Sequence, residues 1–530
     1  MRKICLRLAF LMLFAAVFLP GCSREKAADD MVVEDKALQA EDPVKAEASE
    51  DSEAEEEEPD GGSYDPAFEL LIEAEEAEIT GRVKAESEKQ GYTGTGYLIG
   101  IEGNEDTVTF TVEVPGSGAY DLNFISASFS GYKENNVLVD GENVGVAKVE
   151  EVTFTDSVLE RVYLTAGVHR ITMTKSWGWI YLDALKVTAS PPPDETIYEI
   201  SAEPVDPKAS ARVKSLMRYL QDTYGEYVIS GQYGDRGIDG AEFKAIYKLT
   251  GKYPAMLGLD FIEYTPSRVA HGSAGGDVEY AVKFDEAGGI ITFCWHWNAP
   301  EPYLPDTSGQ PWWSGFYTKA TTIDLKKIMD GEDQEGYALL LRDIDAIAVQ
   351  LKRLQEADIP ILWRPLHEAS GGWFWWGASG PEAYIELYRL LYDRLTNYHD
   401  IHNLIWVWNG QKEEWYPGDE YVDIVGTDIY PGERVYSAQA SRFHELVEWT
   451  KGTKKLVALT ENGCLFDPDL AFRDNAKWAY FGTWEGEFVT LNNTYTLSEK
   501  YTEEDMVYKV YHHEKVITLD ELPDLKTYGQ

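Results

Sequence analysis

Cysteine is close to absent, with four in 530 residues. So few exclude a disulfide framework. Basic residues are also scarce: 47 Lys and Arg stand against 92 Asp and Glu, a formal net charge of −45. A chain this acidic offers no basic face for phosphates, which argues against nucleic acid as a partner. Long apolar runs are missing after residue 19, so no later segment reads as a membrane span. Aromatic residues, by contrast, are plentiful. The 16 Trp and 33 Tyr sit within a 44% hydrophobic composition, which describes a globular protein with a large core. Exposed rings also stack on flat apolar faces such as those of sugars.

The chain starts MRKICLRLAFLMLFAAVFLPGCS, with Arg2, Lys3 and Arg7 ahead of an apolar run from Leu8 to Leu19. That run is too short for a bilayer and suits a secretion signal. Leu19-Pro20-Gly21-Cys22 resembles the bacterial lipobox. The resemblance implies a signal peptide over residues 1–21, a lipid on Cys22 and an exported protein anchored at the bacterial cell surface. An ordinary signal peptide with a chance cysteine is the alternative. With Cys5 and Cys22 so used, Cys294 and Cys464 remain, and each is expected to pack as a small apolar residue.

Residues 22–66, with AEASEDSEAEEEEPDGG, are acidic and poor in aromatics, so they read as an extended, solvated tether. Residues 67–190 switch to short alternating strands broken by turn residues. VLVDGENVGV and RVYLTAGVHRITMT each read as a hairpin, and seven or eight strands without helical period indicate a β-sandwich. Pro191–Pro193 stiffen a linker over 191–204.

From 205 to 530, apolar runs alternate with amphipathic helices. Eight strand candidates appear: 226–233, 253–262, 288–297, 359–368, 403–410, 422–430, 454–463 and 478–488. Their continuous apolar character suits parallel strands buried on both faces. Eight such units predict a (β/α)8 barrel, making the whole chain α/β with a preceding all-β domain. Only about eleven residues separate the fifth and sixth candidates, short for a crossover helix. Pro365 is expected to close the fourth strand, since proline cannot donate within a central ladder.

Working residues of such barrels lie at the C-terminal strand ends. Those ends read Gln232, Asp260, His296 with Trp297, His367 with Glu368, Trp408 with Asn409, Asp428 with Tyr430, Glu461 with Asn462, and Trp484. Glu368 and Glu461 face each other across the mouth, and paired carboxylates flanking a cleft are the equipment of glycoside hydrolysis. Glu368 among tryptophans is expected to be desolvated, raising its pKa until it donates, while Glu461 beside donors is expected to stay ionised. Of Trp373, Trp375 and Trp376, two are expected to pack beneath the loop. Asp428 is expected to orient a neighbour.

WRPLHE with Trp373 five residues on, FCWHWNAP, DIVGTDIYPG and ALTENG occur in the order found in glycoside hydrolase family 26, the β-mannanase family, which residues 205–525 resemble. The resemblance implies that Glu368 is the general acid/base and Glu461 the nucleophile, in a retaining reaction without a catalytic cofactor. It implies that Tyr430 bonds the nucleophile, that His296, Trp297, His367 and Trp373 line the sugar sites, and that Trp484 floors the site of the cleaved sugar. The insert at 298–358, with Trp312 in PWWSGF, would wall one end of the cleft and add a sugar contact.

LIEAEEAEITG, TAGVHRITMT and WGWIYLDALKVT resemble a family 35 carbohydrate-binding module. This implies a structural Ca²⁺ on Glu73, Glu75 and Asp183 and sugar contacts from Trp177 and Trp179. The expected partner is a mannan-type polysaccharide, cut internally by a monomer. Other family 26 specificities (β-1,3-xylan, mixed-linkage glucan, exo-acting mannobiose release) and a non-hydrolytic glycan-capture lipoprotein are the alternatives.

Overall fold

The computed structural model describes residues 63–529 apart from Trp177, Lys451 and Asn493. The signal segment, Cys22, nearly all of the tether and the proposed sugar contact Trp177 therefore lie outside the described residues.

Residues 69–189 form two facing antiparallel sheets, one of six strands and one of five. Their count exceeds the expected seven or eight because pieces as short as Glu78–Ile79, Lys84–Glu86 and Tyr97–Ile99 pair at the margins. Strict alternation in Thr107–Val114 and Gly167–Lys175 sends Phe110, Val112, Ile171 and Met173 inward, where they meet Leu122, Phe124 and Leu185 of the other sheet. The Asp140-Gly141 turn joins a true hairpin; both residues have positive φ, 52° and 97°, as that turn requires. RVYLTAGVHRITMT is not a hairpin. Thr155–Leu164 and Gly167–Lys175 belong to different sheets, so the Ala166-Gly167 turn carries the chain across the sandwich. Alternation reports which face is buried, not which sheet a strand joins.

Beyond the prolines, eight parallel strands close a barrel: β1 Gly231–Tyr233, β2 Met256–Asp260, β3 Ile290–Trp295, β4 Ile361–Pro365, β5 Leu404–Trp408, β6 Ile424–Ile429, β7 Leu456–Asn462 and β8 Phe481–Thr483. The first and last are shorter than their apolar runs. Val228–Ile229 leaves the barrel to pair with Val516–Ile517. Pro365 is the last residue of β4, paired with Trp295 of β3, so its missing donor falls at the end of the ladder. No α-helix joins β5 to β6, only single turns at Glu413–Trp415 and Asp419–Tyr421. After β4, Pro381 opens a helix to Tyr392 that buries Tyr384, Leu387, Tyr388 and Leu391.

Cys294 and Cys464 are both buried free thiols. Among the described residues, no helix is long and apolar enough to cross a membrane.

Candidate active site

Strands β4, β6 and β7 bring three carboxyls together at the C-terminal mouth of the barrel. Oxygens of Glu368, Asp428 and Glu461 lie within 4.8 Å of one another. A register shift between Thr427 and Asp428 sets Asp428 directly opposite Glu461 in the β6–β7 pairing. Just past β4 the chain twists, with Leu366 and Glu368 both at φ 54°. Backbone in that region is strained for non-glycine residues and persists only where its surroundings impose it. Here the Glu368 amide is held by the Asn409 carbonyl at 2.8 Å.

One buried cation is bonded to two of the three acids. Arg364, fully buried inside the barrel, donates from Nη1 to Asp428 (2.8 Å), from Nη2 to Oε2 of Glu461 (3.0 Å) and from Nε to the Tyr233 hydroxyl (3.2 Å). Asp428 also accepts from Asn409 Nδ2 at 2.6 Å and Thr460 Oγ1 at 2.7 Å. The Tyr430 hydroxyl donates to the other oxygen of Glu461, Oε1, at 3.1 Å. Glu368 has no cation against it; its Oε2 accepts the Trp373 indole N–H at 2.9 Å.

Three carboxylates clustered around one guanidinium, only two of them bonded to it, do not all stay charged in a low-dielectric site. Burial, then the nearby Asp428, push Glu368 up to about 8, with the Trp373 bond pulling the other way. Glu461 is also pushed upward by burial and by Asp428, against the pull of Arg364, so its ionised state is less secure than the sequence suggested. The bonding pattern assigns the shared proton. Glu461 receives donors on both oxygens, one of them charged, whereas the side-chain donor bonded to Glu368 is a neutral indole.

His296 and Trp484 form the adjoining wall. His296 is clamped to Asp260 through Nδ1 at 2.6 Å, and its Nε2 meets Nε2 of His367 at 3.3 Å. Burial, Arg364 and His296 hold His367 well below its ordinary pKa, so it is neutral. His367 is 1% exposed and packs edge-on against His296, their ring centres 4.6 Å apart. The Trp484 ring lies 4.9 Å from Tyr233 and 5.9 Å from His296. Beyond it, burial and the surrounding Glu242, Asp235, Asp260 and Asp277 push Glu485 to about 8, and burial with Asp260 lifts Asp277 to about 7.

The aromatic loop divides as its contacts dictate. Trp373 is 48% exposed, while Trp375 and Trp376 are buried, donating to the backbone oxygens of Trp297 and His367. Trp297 is not a sugar contact. It is fully buried, stacked 4.1 Å from Trp295 and bonded through Nε1 to Asp343, because the chain has turned inward by this residue. Trp312 stacks on His271 at 4.2 Å, with Arg268 5.6 Å from its ring, so it is engaged by the segment that follows β2. Asp260, Cys294 and His296 offer ligand atoms close enough for a metal. Asp260 and His296 are spent on each other, however, and burial pushes the Cys294 thiol far up, so this is a neutral packed thiol.

In the sandwich, Asp183 accepts the Thr93 amide at 2.9 Å, Glu73 accepts the Thr93 hydroxyl at 2.8 Å, and Glu75 accepts the Thr95 hydroxyl at 2.8 Å. Asp183 is fully buried and pushed up by burial and by both glutamates. Glu75 Oε2 is buried without a partner. Trp179 is half exposed.

A carboxyl pair at a barrel mouth, one neutral and one aimed by donors, between aromatic walls, defines a glycoside hydrolase. The chain belongs to glycosyl hydrolase family 26, whose family model matches residues 205–521; a carbohydrate-binding module (family 35) matches residues 70–190. It is 40% identical over 451 residues to a mannan endo-1,4-β-mannosidase of Thermothelomyces thermophilus, covering 85% of this chain and 90% of that one. A mannan endo-1,4-β-mannosidase of Bacillus subtilis is 31% identical across 47% of this chain and 71% of its own. Among solved structures, the GH26-CBM35 β-(1,4)-mannanase of Podospora anserina is 37% identical with a TM-score of 0.61, covering 87% of this chain and all (100%) of that one. A β-mannanase from a symbiotic protist of the termite Reticulitermes speratus, complexed with gluco-manno-oligosaccharide, is 31% identical with a TM-score of 0.53, over 61% of this chain and 98% of that chain.

Proposed function

We propose that this chain is a retaining endo-β-1,4-mannanase, with Glu368 as proton donor and Glu461 as nucleophile. The observation that carries the mechanism is the approach of the two glutamates, with oxygens within 4.8 Å. Inverting pairs stand about 6.5–9.5 Å apart to admit a water, whereas retaining pairs stand about 5–5.5 Å apart. Glu461 attacks the anomeric carbon while Glu368 passes its proton to the departing glycosidic oxygen. Glu368, now a carboxylate, takes a proton from the water that releases the sugar from Glu461. Tyr430 and Arg364 each hold one nucleophile oxygen, fixing its angle. The β-1,4-mannan backbone as substrate rests on the mannanase relatives, two of which match most of this chain.

The test is reducing-sugar release from galactomannan, glucomannan, β-1,3-xylan and mixed-linkage glucan by wild type, Glu368→Ala and Glu461→Ala. Release from the mannans alone, lost in both variants, is expected. Activity on the glucan or xylan would overturn the substrate, and bound mannan without release would overturn the enzyme.

In the same reading Cys22 carries a lipid, residues 22–66 act as a tether, and the monomeric enzyme works outside a bacterial cell. The support is the basic, apolar and Leu-Pro-Gly-Cys order of the first 22 residues. Radiolabelled fatty acid should enter the protein and fail to enter Cys22→Ser. In the sandwich, Glu73, Glu75 and Asp183 would hold Ca²⁺. A buried Asp183 lifted by the two glutamates, and a Glu75 oxygen without a partner, support a hard cation. The cation would have to draw the three together, since their ligand atoms do not all lie within 4.8 Å of one another. Trp179, with Trp177, would present the sugar-stacking surface.

A further inference from the structure

The loop after β5, residues 409–412, touches the backbone of Glu368 and the carboxyl of Asp428 at one end and the sandwich domain at the other. The Asn409 carbonyl accepts the Glu368 amide at 2.8 Å, and that of Gly410 accepts the Ser370 amide at 3.2 Å. Asn409 Nδ2 holds Oδ1 of Asp428, and Gln411 Nε2 donates to its backbone oxygen at 3.1 Å. This loop therefore sets both the backbone of the proton donor and the side chain of the acid beside it. Gln411 itself sits at φ 69°, a conformation that needs outside restraint.

The restraint comes from Arg442, on the helix Ala440–Trp449 that packs between the barrel and the sandwich strand Thr155–Leu164. Arg442 Nη2 donates to the Gln411 carbonyl at 2.9 Å, and its Nε to the Thr427 hydroxyl at 3.0 Å, one residue from Asp428. Arg442 Nη1 is fixed by Glu445 at 2.8 Å, and the same Glu445 oxygen accepts Lys148 of the sandwich at 3.0 Å. Burial works to raise Glu445, but Lys148 and Arg442 outweigh it and hold the carboxyl below its usual range. A second strut lies alongside: Lys412 Nζ stands 4.9 Å from the centre of the Tyr132 ring, also in the sandwich.

We propose that Lys148 and Tyr132 of the sandwich are positioning residues for hydrolysis, bracing loop 409–412 through Glu445, Arg442 and Lys412. The sandwich then shapes the catalytic centre as well as carrying a sugar-binding surface. Lys148 and Glu445 are each more than a third exposed, so the pair adds little to stability. Its effect is geometric, and small misplacements of reacting groups are costly in rate.

The inference rests on Glu368 as proton donor and is tested in the full-length protein on a soluble manno-oligosaccharide, where capture of polysaccharide plays no part. Lys148→Met and Tyr132→Leu should each lower kcat about two- to five-fold with KM unchanged. Glu368 faces Asp428, Glu461, Arg364, Tyr430 and Tyr317. Of these Asp428 raises it most, so a loosened Asp428 should move the basic limb of the pH profile downward. Lys148→Arg should restore both values. An unchanged kcat and basic limb in both variants would overturn the proposal, as would a loss that only follows a fall in Tm with the limb unmoved. Glu368→Gln, run alongside, separates this failure from failure of the donor assignment: activity there would sink the assignment itself.

Discussion

Trp373 gives its indole N–H to Oε2 of Glu368 across 2.9 Å, from a ring that is itself half exposed to the cleft. One side chain thus presents an exposed ring and holds the Glu368 carboxyl. The bond favours the ionised carboxyl, against the stronger upward push of burial. Trp373→Phe keeps a ring and removes the donor. The basic limb of kcat/KM against pH should then move upward, opposite to the shift expected from loosening Asp428.

Arg364 is the residue whose loss should harm the fold most. It is fully buried between Asp428 and Glu461, and removing it leaves two buried acids uncompensated. Breaking a buried pair costs about 3–5 kcal/mol. Arg364→Met should lower Tm strongly at pH 7.5 and less at pH 5, where the stranded acids take up protons. Calorimetry at the two values checks this; an equal loss at both would contradict it.

The two glutamates should separate by leaving group. An aryl mannobioside whose phenol departs without protonation does not need Glu368 for the first step. Glu368→Ala should therefore form the glycosyl-enzyme rapidly, stall, and be rescued by azide. Glu461→Ala should be inert in the first step on the same substrate, shown by the absence of a phenol burst.

Glu368 should also cost stability. Its pKa is raised in the fold to about 8 from an ordinary value near 4.5, so its contribution is fully present at low pH and lost as pH rises through that window. Glu368→Gln, which cannot ionise, should raise Tm at pH 8 and change it little at pH 4. Thermal melts across this range give the answer directly.

The strand ends were legible because parallel strands buried on both faces leave continuous apolar runs, and Glu368, Tyr430 and Glu461 follow such runs. Asp428 was read as orienting a neighbour, and it meets Glu461 and Arg364. Arg364 was missed although it stands within WRPLHE. An arginine inside an apolar run signals a buried partner, but sequence does not say that its partners come from β6 and β7. Trp297 misled because strand-end aromatics face inward or outward according to a turn that a single residue decides. The helix expected between β5 and β6 was doubtful from its spacing, and single turns stand there instead. The sandwich's link to loop 409–412 had no local signal at all, since Lys148 and Glu445 lie 297 residues apart.

The most direct test of the central claim, a nucleophile and a proton donor working by double displacement, is the anomeric form of the first product. Mannohexaose would be hydrolysed by wild-type enzyme and followed by proton NMR from the first turnover. The account requires the β-anomer to appear first, with the α-anomer growing in only by mutarotation. Initial release of the α-anomer would contradict it, and with it the roles given to Glu368 and Glu461.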